Sequence, residues 1–193
     1  MITWQLVTNF PGGDFNLTAR IAAGLVASLL LFGSLIAHEV MHSLVAQASG
    51  IPVHSITLFI FGGVSQITRE PQKPGDEVRI ALAGPLTSLV CGGIFFGIWF
   101  MTKNTPAMIR EIILWLGQTN IILAIFNLIP VPPLDGSRIL TGLLPLNLAY
   151  EYVKIEKFGF LITVVLVWFG IVWRLVVPGI NFFCNLWQVP LLG

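Results

Sequence analysis

The chain has 193 residues, 55% of them hydrophobic and only 10% charged, where an ordinary soluble domain carries about 25% charged residues. Its mean hydropathy is +0.87, and ten basic residues against nine acidic leave a formal charge of +1. This composition excludes a soluble enzyme, a disordered tail and a nucleic-acid binder that works through a basic surface. It is the composition of a membrane protein, and the long apolar runs described next make the expected fold class all-α and polytopic.

In chain order, Met1–Asn16 has no basic segment leading into an apolar run, so it does not resemble a signal peptide. A first span is expected over about 20–48, since a bilayer core needs roughly 20 apolar residues in a helix. The stretch 51–61 (IPVHSITLFIF) is rich in β-branched and aromatic residues. It predicts a strand, with a turn at Gly62-Gly63 and a return strand over Val64–Thr68. An open strand cannot face lipid, so this hairpin must pack on protein or lie at the interface. A charged loop, Arg69–Arg79, leads into a span over about 80–102, and Lys103–Arg110 connects it to another over about 111–129. Pro130–Pro133 ends that helix. A fourth span is expected over about 157–177, and the apolar tail 178–193 is interrupted by Pro178, Gly179 and Pro190. Cys91 and Cys184 lie in apolar runs and form no CxxC pair, which predicts buried thiols. The small glycines of the second span, Gly84, Gly92, Gly93 and Gly97, predict close helix packing. Lys and Arg are slightly more numerous on the side that carries the 49–79 loop, which places that loop in the cytoplasm.

Glu39 is the anomaly, because an ionisable residue inside an apolar span is costly and marks a functional site. It sits in His38-Glu39-Val40-Met41-His42. Histidines at i and i+4 project from one helical face and can reach one metal ion, with the glutamate beside them to handle a proton. A catalytic zinc usually takes three protein ligands, so a third is required. Asp135 is the strongest candidate: it follows the apolar run 112–134, where prolines unwind the chain. The alternative for Asp135 is an ion pair with Arg138. His54 is assigned no role beyond that of a strand residue.

Four segments then resemble one family, the site-two proteases, which are intramembrane zinc metalloproteases. They are HEVMHSLVA (38–46), ITLFIFGGVSQ (56–66), ALAGPLTSLV (81–90) and NLIPVPPLDGSRIL (127–140), and the likeness covers about residues 20–170. The resemblance implies a three-helix catalytic core plus additional transmembrane helices, with a small hairpin or edge strand near the active site. It implies one zinc per chain, with His38, His42 and Asp135 as ligands, Glu39 as general base and Asn127 orienting or stabilising the reacting groups. Phe61, Gly62 and Gly63 are implied to bind substrate along an edge strand. The chain is similar to a minimal form of the family without PDZ or CBS domains, forming one integral membrane domain over 1–193. The implied substrate is a single-pass membrane protein cut in or near its span, in regulated intramembrane proteolysis. The expected setting is a prokaryotic cytoplasmic membrane with the active site toward the cytoplasm, and a homo-oligomer is compatible with it. Two other classes stay open at this point. A divalent-metal transporter also carries HExxH on a membrane helix but needs a relay of ligands on neighbouring spans. A scaffold would bind membrane proteins without cutting them.

Overall fold

The computed structural model describes residues 16–59, 62–67 and 74–191. Helix α1 runs from Leu17 to Ala48. Its first turn is capped by the Asn16 side chain, which accepts from the Ala19 N–H at 2.9 Å. It ends at Ser49 and Gly50, where Gly50 adopts φ +76° and the Ile51 N–H returns to the Ala46 carbonyl. A side chain with a Cβ rarely tolerates that left-handed closure.

Strands β1 (Val53–Phe59) and β2 (Gly62–Ile67) form an antiparallel hairpin that lies against α1. The register pairs Phe59 with Gly62 and Leu58 with Gly63. The expected Gly62-Gly63 turn is therefore corrected: both glycines belong to the second strand, and residues 60 and 61 between the strands lie outside the described residues. A register shift between Val53 and Ser55 leaves His54 at a bulge.

Helix α2 spans Pro74–Met101. It starts six residues ahead of the expected 80, inside the charged loop, because Pro74 suits a first helical turn and Asp76 and Glu77 favour its positive end. Helix α3 spans Ala107–Asn127. Beyond it come α4 (Asp135–Leu143), α5 (Leu146–Val153), a single 3₁₀ turn at Glu156–Phe158, α6 (Gly159–Trp168) and α7 (Ile171–Leu186).

The fourth span expected at 157–177 is not one helix. Gly170 takes φ +69°, a conformation open to glycine, and splits it into α6 and α7. The helical run Leu146–Trp168, which ends in α6, and α7 are bent by 71° from one another. Pro178 does not interrupt the tail either: α7 continues through it to Leu186. Among the described residues three helices are long and apolar enough to cross a membrane, and the bent pair supplies a fourth crossing if it counts as one.

Packing follows an inside-out logic. Leu25, Leu29, Val90, Ile94, Phe160 and Trp168 are exposed, whereas Ser34, His38, His42, Ser88, Gln118 and Asn120 are buried. Outward apolar faces suit lipid, and the buried polar side chains bond to backbone carbonyls, as Ser34 and Asn120 do, or to each other, as His38 and Ser88 do. Ala27 and Leu31 of α1 pack on Met108, Ile112 and Leu116 of α3, while Phe96, Leu114, Ile121 and Cys184 join α2, α3 and α7. The tail is tied to α3 where Gln118 donates to the Pro190 carbonyl at 2.7 Å.

Helices α2 and α3 approach closely at glycines. A Cβ on Gly117 would lie 2.5 Å from the ring of the fully buried Phe96, whereas one on Gly97 would meet nothing within 4 Å. Overpacking of that kind costs about 1–3 kcal/mol. Gly117→Ala is expected to lower the thermal midpoint in detergent, and Gly97→Ala to leave it unchanged or raise it through helix propensity. Equal midpoints for the two variants would contradict this packing.

Candidate metal centre

Four-residue spacing in α1 stacks His38 and His42 on one face, one turn apart, with their rings edge to face at 5.0 Å between centroids. Both are buried. Their Nε2 atoms converge on one oxygen: Asp135 Oδ2 lies 3.2 Å from His38 Nε2 and 3.4 Å from His42 Nε2. One donor atom from each of the three residues falls within 4.8 Å of the others. The structure thus brings together residues separated by nearly a hundred positions. It also removes the alternative partner, because Arg138 faces Glu156 at 2.7 Å and Glu77 at 3.7 Å.

The far side of each ring is also engaged. His42 Nδ1 lies 2.7 Å from the Ile80 carbonyl, and His38 Nδ1 lies 2.9 Å from Ser88 Oγ. A carbonyl can only accept, so His42 donates from Nδ1, and the neutral ring keeps a lone pair on Nε2. That lone pair faces a carboxylate oxygen, an arrangement that needs a positive charge between the two atoms. Burial pushes the Asp135 carboxyl up, but hydrogen bonds and charge from the two histidines outweigh it and hold the group below the usual carboxylate range. Two imidazole nitrogens and a carboxylate, with an Nδ1 anchored behind, are a donor set of the kind that catalytic zinc sites use. The residues fit a divalent metal.

Asp135 reaches the histidines because α3 stops at Asn127 and the chain turns back through 128–134. Ile129 and Leu134 bury themselves against Val172 and Val176 of α7. Prolines cannot donate from their nitrogens, and here their carbonyls find outside partners. Tyr152 Oη donates to the Pro130 carbonyl at 2.8 Å, and Thr163 Oγ1 to the Pro132 carbonyl at 2.9 Å. Gly136 lets α4 approach this loop, since a Cβ there would collide with the Leu128 and Ile129 carbonyls. Arg138 links α4 to the start of α2 and to the 3₁₀ turn.

The other predicted site residues are distributed differently. Glu39 is half-buried beside the histidines, and its carboxylate has no ion pair among the described residues. Asn127 donates its amide to the Leu123 carbonyl of its own helix at 3.0 Å. Gly62 and Gly63 open β2, and Phe61 lies outside the described residues.

Gly84 contributes more than helix packing. A Cβ there would collide with His42 Nε2 and sit 2.5 Å from His38 Nε2. The Gly84-Pro85 pair inside an apolar helix was the available sequence signal, since such a proline needs a reason to be there. The Ile80 carbonyl left no signal, because every residue has one.

Inside-out packing, a converging His-His-Asp donor set and a glutamate beside it define an integral membrane protein with a buried metal centre. Residues 26–108 and 102–170 match peptidase family M50, and the chain belongs to this family. It is 38% identical to Rip3 of Mycobacterium tuberculosis over 148 residues, which is 75% of this chain and 38% of that protein. It is 36% identical to the zinc metalloprotease MJ0392 of Methanocaldococcus jannaschii over 133 residues, 68% of this chain and 38% of the relative. The chain therefore spans well under half the length of these curated relatives. Its fold resembles that of a site-2 protease from Methanocaldococcus jannaschii with a TM-score of 0.55 and 28% identity, over 88% of this chain and 81% of the other.

Gly84→Ala is expected to fold, because the helix gains propensity, yet to lose most bound metal as the new methyl displaces both rings. Metal content against helical circular dichroism checks this. Full metal occupancy in the variant would contradict the contact.

Proposed function

We propose that the chain is an intramembrane zinc endopeptidase that cuts a single-pass membrane protein in or near its span, in regulated intramembrane proteolysis. The observation that carries this reading is the convergence of His38 Nε2, His42 Nε2 and Asp135 Oδ2 inside a lipid-facing bundle. Membership of a peptidase family supports it, as does similarity to a relative named a zinc metalloprotease.

His38, His42 and Asp135 would hold one zinc. When bound, zinc supplies a water of lowered pKa and a Lewis acid for the scissile carbonyl. Glu39, next to His38 in the chain, takes the proton of the attacking water and returns it to the leaving amine. Asn127 would have to release the Leu123 carbonyl to donate to the developing oxyanion. The hairpin gives an extended substrate an edge to pair with, and Phe61, Gly62 and Gly63 would lie along that contact. Main-chain pairing of this kind makes few demands on sequence. It also suits a substrate helix that has unwound locally, since a helical peptide bond is covered by its own hydrogen bonds.

A single membrane domain performs this reaction in a prokaryotic cytoplasmic membrane, with the site opening toward the cytoplasm. The slight excess of Lys and Arg on the side that carries the 49–79 loop supports that orientation. The third ligand comes from α4, outside the long spans, which is unlike the relay of intramembrane ligands that a metal transporter requires.

Two measurements test the proposal. Purified chain is expected to hold about one zinc, lost in Asp135→Ala, as three-ligand sites require. Glu39→Gln is expected to keep the zinc and lose cleavage of a single-pass substrate in vesicles by roughly 10²–10⁴-fold, the usual contribution of a general base. Cleavage that survives Glu39→Gln would sink the mechanism.

A further inference from the structure

We infer that Ser88 is a positioning residue that sets the tautomer and orientation of His38 for metal binding, an inference that rests on the metal reading above. Its basis is a stripe along α2. Ile80, Gly84 and Ser88 follow one another at four-residue spacing, so they share one face of the helix. That face meets the face of α1 that carries His38 and His42. The Ile80 carbonyl engages His42 Nδ1, Gly84 leaves room for both rings, and Ser88 Oγ engages His38 Nδ1 at 2.9 Å.

The two anchors differ chemically. The Ile80 carbonyl only accepts, so it imposes the Nδ1–H form on His42 without any help from a side chain. The Ser88 hydroxyl can donate or accept. When it accepts, His38 carries its proton on Nδ1 and leaves the Nε2 lone pair free for a metal ion shared with Asp135. When it donates, the Nε2 of a neutral ring holds the proton and is closed to a metal. Ser88 is fully buried, and Ser88 Oγ lies within hydrogen-bonding distance of a ring that is itself 3% exposed. With the methyl of an alanine there, the His38 Nδ1 would lose this partner in a buried place, and the Nε2–H form bonded to Asp135 would gain. Loss of the group that hydrogen-bonds the far nitrogen of a ligating histidine typically lowers metal affinity by about 10–100-fold.

The test compares wild type, Ser88→Ala and His42→Ala, each as the full chain in detergent, by zinc competition against a chelator and by ¹⁵N spectra of the histidine rings. The chain has only three histidines, so each ring can be followed. Ser88→Ala is expected to weaken zinc roughly 10–100-fold and, in the zinc-loaded chain, to shift the His38 Nδ1 signal as it loses its hydrogen-bond acceptor, with the His42 signals in place. Unchanged affinity with unchanged His38 signals would overturn the inference. So would a loss of affinity in which both rings shift together, because that is general loosening of the site. Zinc binding that is absent in wild type, or that survives in His42→Ala, would instead strike the metalloprotease reading itself.

Discussion

One carboxylate oxygen shared by two imidazole nitrogens is the contact on which the rest of the molecule depends. Asp135 sits on a short helix outside the long spans, and the histidines sit on α1. To bring them within 3.4 Å, α3 must end at Asn127, the loop must be pinned to α7, and Gly136 must let α4 close against that loop. Each of these features would be a defect in a simple helical bundle. Together they hold one oxygen in place.

The interior of such a bundle cannot be stabilised as a soluble core is, because lipid is as apolar as the side chains it would exclude. Cohesion comes instead from close approach and from buried polar groups that find partners. Gly92 and Gly117 supply the approach between α2 and α3, and Gln118 and Ser88 supply polar ties across elements. The metal centre belongs to the same economy. Its residues sit where a membrane protein already gathers polar groups, and the bonds from the two imidazole Nδ1 atoms to Ser88 and Ile80 also bind α1 to α2.

Much of the site was legible in the sequence because it uses charged or metal-binding residue types in places where they are costly. His38, Glu39 and His42 stand out in an apolar run, and Asp135 stands out at the end of one. The parts that were not legible use ordinary groups. A backbone carbonyl at Ile80, a serine and a glycine have no chemical signature until the fold sets them beside an imidazole. The break at Gly170 failed for a related reason: a glycine in an apolar stretch serves equally as a packing contact or a left-handed stop, and only the tertiary arrangement selects between them. In the hairpin, Gly62 and Gly63 have the composition of a turn, but pairing of Phe59 with Gly62 draws them into the strand.

The long separation between the histidines and Asp135 also orders events during synthesis. A chain made from its N-terminus delivers α1 to the membrane well before residue 135 exists. At that stage His38, Glu39 and His42 have neither Asp135 nor the α2 stripe to meet them, so α1 has to partition on its own composition. Its best 18-residue stretch is more apolar than that of either other long helix, although the helix carries the most expensive cluster of side chains. The leucines, isoleucines and alanines of residues 21–37 therefore have to offset the cost of inserting two histidines and a glutamate whose partners have yet to arrive.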